Sequence, residues 1–233
     1  MAGSNFDTNI NMPRRIVELS DFFPYHICAR SNNREWFDLP LDYVYGIYAN
    51  VMAKTIDKYS LECHGFVLMS NHFHFLATTP KANLSSAMRY FMTESSRGIA
   101  RASNRINRIY GSRYHWTILR EPTHYAYALK YIYRNPIEAK IVKDIGFYRW
   151  ITINPQHKKF SGLVTSNNNG FDEYTPKKNR ELLNWINQCE DRLFINSVQK
   201  ALARHEFQIP ICPKSGKRTH FGDQLHPKET PGT

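Results

Sequence analysis

The sequence predicts an α+β domain in which helices pack on one face of an antiparallel sheet. Apolar, strand-like runs alternate with segments of helical periodicity in the order strand, helix, strand, strand, helix, strand, helix. The second and third strands flank the turn pair Ser70-Asn71, so they form a hairpin and are antiparallel. After residue 152 the pattern becomes polar and then helical, which predicts a helical C-terminal extension.

The individual elements follow from local signals. Pro40 suits the first turn of a helix, Asn83 suits a helix cap, and the polar residues 31–34 suit a loop that contacts a ligand. In chain order we expect a strand at 24–30, a helix at 41–59, a hairpin within 61–79, a helix at 84–108, a strand at 114–120, a helix at 123–134, a short helix at 137–143 and helical structure within 179–206.

The chain divides into four segments by composition. A flexible lead-in is expected over 1–20 and a folded domain over 21–152. A partly helical extension follows over 153–210, and the segment 211–233, rich in Pro, Lys and Gly, is expected to be a disordered tail.

Charge and cysteine content restrict the function. The chain has 31 Lys and Arg against 20 Asp and Glu, a net charge of +11, which favours a polyanionic partner such as nucleic acid. The sequence shows neither a secretory signal nor a membrane-length apolar run, so we expect a soluble, cytoplasmic protein associated with the nucleoid. No cysteine pair has CxxC spacing, which argues against a cysteine zinc site and favours free thiols in a reducing compartment. The cysteines are Cys28, Cys63, Cys189 and Cys212.

Two histidines on the hairpin are candidate metal ligands. His72 and His74 are two residues apart, so their rings point to the same face of a strand, while Phe73 and Phe75 point into a core. Two converging imidazoles form half of a divalent metal site. The alternative is a pair of ordinary strand histidines, one hydrogen-bonded and one exposed.

A tyrosine and an asparagine follow on the helix that begins at Thr123. Tyr131 and Asn135 are four residues apart and share one helical face. A phenol beside a metal-bound phosphate can attack phosphorus and store the phosphodiester as a covalent intermediate. Alternatively, Tyr131 is a core aromatic, and Asn135 caps a following helix that has Pro136 at its first position.

Four arginines on the second predicted helix are spaced four, four and three apart. The sequence has no acidic residue between the first and the last of them, which favours contact with phosphate over an unpartnered solvated face. These residues are Arg97, Arg101, Arg105 and Arg108.

Two motifs in this chain resemble a known family. His72-Phe73-His74 resembles the HUH motif (His, bulky hydrophobic residue, His), and with the segments 67–74 and 131–136 the pattern is similar to the REP-associated tyrosine transposases. These proteins are domesticated relatives of the single-tyrosine HUH insertion-sequence transposases. The resemblance covers residues 14–152 and implies the ferredoxin-like, RRM-like HUH fold. The family often has Pro where this chain has Ser70.

The resemblance implies a metal-dependent endonuclease and strand transferase that acts on single-stranded DNA beside a hairpin. Tyr131 would attack the scissile phosphate, giving a 5′-phosphotyrosine and a free 3′-hydroxyl. His72 and His74 would hold Mg²⁺ or Mn²⁺, with Asn135 as the third ligand. A monomer is expected. Candidate DNA contacts besides the arginines of the helix are Arg30, Arg34, Arg113 and Trp116.

Two other functions remain open at this point. A catalytically silent nucleic-acid-binding protein could use the same fold without the chemistry. A plasmid replication or conjugation nickase uses similar chemistry, although this chain has no helicase-like region.

Overall fold

A four-stranded antiparallel sheet forms the centre of the computed structural model, which describes residues 16–106, 108–154, 162–165 and 169–209. Its spatial order is β2-β3-β1-β4, and each neighbouring pair of strands is antiparallel. This sheet and its helices confirm the predicted α+β class. The strands are β1 (Tyr25–Arg30), β2 (Glu62–Leu68), β3 (His72–Thr78) and β4 (His115–Ile118).

Helices lie on both faces of the sheet. α1 (Leu41–Tyr59) and α2 (Leu84–Ser103) cover one face, and α3 (Pro122–Glu138) covers part of the other, so the predicted packing on one face holds for α1 and α2 but not for α3. Two further helices, α4 (Asn179–Asn187) and α5 (Arg192–Leu202), pack behind α3, and short 3-10 turns occur at Asn32–Arg34 and Ile145–Phe147. In the part of the chain that the structure describes, no helix combines the length and apolarity needed to cross a bilayer.

Aromatic packing fixes the face of the sheet below α1 and α2. Phe66, Phe73 and Phe75 are completely buried and contact Tyr48 and Phe91 of the two helices. The Phe66 and Phe73 rings are stacked with centroids 5.6 Å apart. Because burial of each such side chain contributes about 1.5–3 kcal/mol, this layer holds the alternate residues of β3 rigidly on the opposite face.

A close approach between β2 and α3 depends on Gly65. A Cβ atom at this position would lie 2.8 Å from the Tyr133 hydroxyl oxygen, so a side chain here would push α3 away from the sheet. That hydroxyl lies 2.7 Å from Oγ1 of Thr152, and both side chains are buried. Gly65 therefore lets α3 lie directly on the face that carries the histidines.

α3 is longer than predicted because it continues through a proline. Pro136 lacks the N–H that would bond the Ile132 carbonyl, and Nδ2 of Asn135 donates to that carbonyl at 3.3 Å and to the Tyr131 carbonyl at 2.9 Å. The separate helix predicted at 137–143 and the capping role considered for Asn135 are therefore wrong.

α2 is shorter than predicted, ending at Ser103 rather than at residue 108. Asn104 takes the left-handed conformation with φ of 53°, and the Arg105 N–H bonds the Ala100 carbonyl at 3.0 Å. A left-handed Asn is a common way for a helix to end. Arg105 and Arg108 therefore lie beyond the helix, and the four arginines do not form one helical stripe.

The C-terminal extension anchors α3 from behind. The buried side chains of Lys130 and Glu190 form an ion pair, and the Arg134 guanidinium donates to the Ile186 carbonyl at 2.7 Å. The helical stretch predicted at 179–206 is two helices, α4 and α5, with a break between them. The predicted lead-in and tail largely fall in 1–15 and 210–233, which lie outside the described residues.

We predict that Glu190→Ala destabilises the protein by about 3–5 kcal/mol, because it leaves the buried Lys130 ammonium without a counterion. Urea unfolding measures the change. The matched control is Glu181→Ala, which removes an exposed ion pair with Lys178; the Lys178 side chain is 81% exposed. This change should lower the free energy of unfolding by at most about 1 kcal/mol. Equal losses in the two variants would contradict the anchoring role.

Candidate active site

The register between β1 and β3 places the two predicted histidines beside polar residues of β1. Arg30 pairs with His72 and Cys28 pairs with His74. The His72 and His74 rings lie on one face with centroids 5.2 Å apart, and the intervening Phe73 is in the core, as the HxH spacing predicted.

A third histidine contacts His74. Nε2 of His26 lies 2.9 Å from Nδ1 of His74, and the two rings are nearly parallel. Sequence reasoning missed His26, although the alternation of His26, Cys28 and Arg30 along β1 puts all three on the face of the HxH pair. This alternation was the signal that could have found it.

Both HxH histidines have one ring nitrogen engaged and the other available. Nδ1 of His72 lies 2.8 Å from Oδ1 of Asn71, and Nδ1 of His74 contacts His26. Histidines that bind metals are usually held in this way, with the second nitrogen oriented by a polar neighbour. The Nε2 atoms of His72 and His74 therefore suit a metal ion.

The local electrostatics keep both imidazoles neutral. Burial, and to a smaller extent the positive charge of Arg30, lower the pKa of His72 to about 4. Burial also holds the pKa of His74 well below its usual value, with smaller effects from His26, His72 and Arg30. Neutral imidazole is the form that binds a metal, so the pair is ready to do so at pH 7.

Cys28 completes a second group of donors on this face. The ligand atoms of His26, Cys28 and His74 all lie within 4.8 Å of one another. Burial raises the pKa of the Cys28 thiol to about 11, so it is protonated at pH 7. A neutral thiol is a poor ligand for Mg²⁺ or Mn²⁺, which favour oxygen donors, so Cys28 does not replace the predicted set.

Tyr131 is the tyrosine of α3 that faces the histidines. Its ring centroid lies 5.9 Å from that of His74, in a perpendicular arrangement. Tyr127 instead packs against Phe194 of the extension, and Tyr133 is fully buried beside Thr152. Tyr127 and Tyr133 are therefore core aromatics, whereas the position of Tyr131 favours a role at the histidines over a role in the core.

The Tyr131 phenol is protonated in this environment. Its pKa is raised to about 12, mainly by burial, with smaller contributions from Cys28 and Glu138 that are opposed by the positive charge of Arg30. A protonated phenol is a weak nucleophile, so attack requires an electrophile with neutralised charge nearby.

Asn135 lies one helical turn after Tyr131 and is partly buried. Its Nδ2 is committed to the two α3 carbonyls, which leaves Oδ1 as the atom that could bind a metal. An amide oxygen suits a hard divalent cation. Two neutral imidazoles and an amide oxygen are donors that a divalent cation can use, and the amide supplies the oxygen donor that Mg²⁺ and Mn²⁺ favour.

Only part of the predicted DNA-contact set lies near the histidines. Arg30 is exposed on the same face, whereas α2, which carries Arg97 and Arg101, lies on the other face of the sheet. Arg97 pairs with Glu94 at 2.8 Å, and Arg105 pairs with Glu35 and Asp38. Acidic residues from outside the 97–108 interval thus satisfy two of the arginines.

The other predicted contacts differ in exposure. Arg34, Arg101, Arg108 and Arg113 are exposed. Trp116 is only 4% exposed and its ring stacks on His205 with centroids 4.5 Å apart. The prediction that Trp116 contacts DNA is therefore wrong, because its faces are already covered.

Comparisons with known proteins agree with the fold and motifs. The family described as "Transposase IS200 like" matches residues 22–134. A solved REP-associated tyrosine transposase, bound to a REP hairpin, is 20% identical with a TM-score of 0.52, covering 66% of this chain and 89% of that one. A candidate transposase from Deinococcus radiodurans is 17% identical with a TM-score of 0.36. The match covers 55% of this chain and 92% of that one.

The search of curated proteins found no match. The REP-associated structure shares the fold of this chain, and the family match covers both the HxH strand and Tyr131. The resemblance inferred from the motifs is thereby confirmed, in that residues 22–134 match the model of the IS200-like transposase family.

Proposed function

We propose that this protein is a metal-dependent, single-strand-specific DNA endonuclease and strand transferase that acts through Tyr131. The observation that carries the proposal is the position of the Tyr131 ring 5.9 Å from the His74 ring, on the face that also presents His72. A potential nucleophile and two neutral imidazoles on one rigid face suit phosphodiester chemistry better than binding alone.

The metal would be held by Nε2 of His72 and His74 and by Oδ1 of Asn135. When bound, it supplies positive charge that neutralises the scissile phosphate and makes phosphorus a better electrophile. Arg30 contributes a second positive charge at the same place, because it pairs with His72 in the sheet.

The proposed reaction exchanges one phosphate ester for another. The Tyr131 oxygen forms a bond to phosphorus as the bond from phosphorus to the 3′-oxygen breaks. The phenol loses a proton, the departing 3′-oxygen gains one, and the 5′-phosphate stays on the tyrosine. Attack by a 3′-hydroxyl then reverses the chemistry and joins DNA strands without ATP, because the ester energy is retained.

The proposed substrate is hairpin-forming repeat DNA with single-stranded flanks. The net charge of +11 supports a nucleic-acid partner, and the REP-associated relative with this fold is a hairpin complex. Exposed Arg30, Arg34, Arg101, Arg108 and Arg113 are proposed phosphate contacts.

Two arginines of the predicted set differ in their availability. Arg97 can join the phosphate contacts because its ion pair is exposed and therefore weak. Arg105 is not a proposed phosphate contact, since its side chain is 13% exposed and paired with two acids.

The proposed site draws its residues from one chain. Tyr131, His72 and His74 come together within a single polypeptide, and the Lys130–Glu190 pair and Arg134 hold α3 to the extension of the same chain. We therefore propose that a monomer is sufficient for cleavage.

We predict that Tyr131→Phe abolishes cleavage and covalent adduct formation, because no oxygen remains to attack phosphorus. The assay is a denaturing gel with hairpin-containing oligonucleotides from the gene's own neighbourhood and Mn²⁺. Tyr127→Phe is the matched control and should retain activity, since Tyr127 packs against Phe194. Adduct from Tyr131→Phe would contradict the proposal, and no adduct from the parent protein would favour the silent DNA-binding alternative.

A second prediction concerns the support of His74. His26→Ala should weaken Mn²⁺ binding about 10- to 100-fold, because the His74 ring loses the partner that orients it. His26→Gln should restore most of the affinity, since its amide oxygen can accept from the His74 ring. Titration calorimetry measures binding in the absence of DNA.

In the same titration, His72→Ala shows how far Mn²⁺ binding falls when a proposed ligand is lost. Both His26→Ala and His72→Ala should still bind DNA in the absence of metal. If His26→Ala binds Mn²⁺ as well as the parent, His26 does not orient His74. If metal-free DNA binding falls equally in both variants, the histidines are structural.

A further inference from the structure

An apolar cavity of about 660 Å³ lies beside His72. Its walls come from the loop after β1, the β2–β3 turn, the segment that follows α3 and the residues around 148–150. Two of its apolar side chains are unusually exposed, Trp36 at 72% and Ile141 at 50%. The aromatic members are Trp36, Phe37, Tyr148 and Trp150.

The exposure of Trp36 is maintained by an ordered loop. Asn33, Arg34 and Asp38 adopt left-handed backbone conformations with φ of 53°, 60° and 56°. Such conformations are uncommon for residues other than glycine, and they persist where surrounding contacts impose them. The loop therefore holds Trp36 outward at some conformational cost.

Contacts from two other elements fix this loop. Nδ2 of Asn71 donates to the Arg34 carbonyl at 2.7 Å, which ties the loop to the turn that precedes His72. The Arg105 guanidinium pairs with Glu35 and Asp38, on either side of Trp36. Arg105 thus supports the loop, and its guanidinium is engaged by these two acids instead of facing a DNA phosphate.

We propose that this cavity binds an unpaired base of the DNA strand, with the base stacked on the indole of Trp36. The proposal rests on the proposed function, because His72 is both a candidate ligand at the scissile phosphate and part of the cavity wall. A strand whose phosphate lies at the metal must place a neighbouring base close to His72. The cavity is therefore continuous with the path of the strand.

The chemistry of the walls favours a base over other occupants. Stacking on an exposed aromatic is the usual way in which proteins bind unpaired bases, and it tolerates sequence changes because every base has a π-face. None of the described residues that line the cavity is acidic, and Arg30 beside His72 supplies positive charge for the attached phosphate. A nucleotide satisfies both the apolar walls and the charge.

The test uses Trp36→Ala in a Tyr131→Phe background, so that binding is measured without cleavage. Fluorescence anisotropy with a single-stranded dT20 oligonucleotide should show binding weakened about ten-fold by Trp36→Ala and largely restored by Trp36→Phe. The matched control is Leu193→Ala on α5, where the side chain is 69% exposed and away from the cavity, and it should bind normally. Binding within two-fold of the parent for Trp36→Ala would overturn the proposal.

A cross-linking experiment locates the base directly. Oligonucleotides with 5-iodouracil at successive positions should cross-link to the peptide that contains Trp36 or Trp150, and cross-links confined to other peptides would overturn the proposal. If a second copy of the chain occupies the cavity instead, Trp36→Ala should change the sedimentation of the DNA-free protein. That result would also overturn the proposal.

The outcomes separate this proposal from the proposed function. A loss of dT20 binding on Trp36→Ala supports the base subsite even if Tyr131 forms no adduct. An adduct on Tyr131 together with unchanged binding by Trp36→Ala leaves the proposed function intact and removes the base subsite.

Discussion

The antiparallel register between β1 and β3 is the constraint on which the candidate site depends. Side chains alternate between the two faces of a strand, so a slip of one residue would move His72 and His74 into the core and bring Phe73 to the surface. Buried Phe73 and Phe75 prevent this slip, because exposing them would lose the apolar burial that stabilises the sheet. The hydrophobic layer thus determines where the histidines point.

The same register explains why β1 contributes side chains to the candidate site as well as backbone hydrogen bonds to β3. It brings His26 against His74 and Arg30 opposite His72, so that one histidine is oriented by a hydrogen bond and both are kept neutral by burial and nearby charge. Tyr131 is then added from the opposite layer by α3, whose close approach requires Gly65. The proposed nucleophile and the proposed metal donors therefore come from different elements that meet on one face.

The sequence predicted features that depend on local patterns. The HxH pair, α1 and the hairpin followed from alternation and periodicity, which act over a few residues. His26 was missed because its role depends on pairing between strands far apart in the chain. The exposure of Trp36 was missed for the same reason, since Asn71 and Arg105 hold its loop from distant elements.

The errors in the predicted site have related causes. Trp116 was assigned to DNA contact from its residue type, but His205, 89 residues later in the chain, covers it. The helix end predicted at Asn135-Pro136 followed the usual effect of proline, which the amide of Asn135 offsets by bonding the Ile132 carbonyl. The arginine stripe failed because α2 ends at Ser103. Each outcome depends on a contact that sequence spacing does not specify.

Mass spectrometry of the trypsin-digested reaction product tests the central claim most directly. Cleavage after Lys130 and Arg134 releases the peptide Tyr131-Ile132-Tyr133-Arg134. After incubation with Mn²⁺ and a hairpin-containing oligonucleotide and digestion of the DNA, the account predicts a nucleotide phosphate on Tyr131 of this peptide. The same modification on Tyr133 or on a tyrosine elsewhere in the chain, or an unmodified peptide when the DNA has been cut, would contradict it.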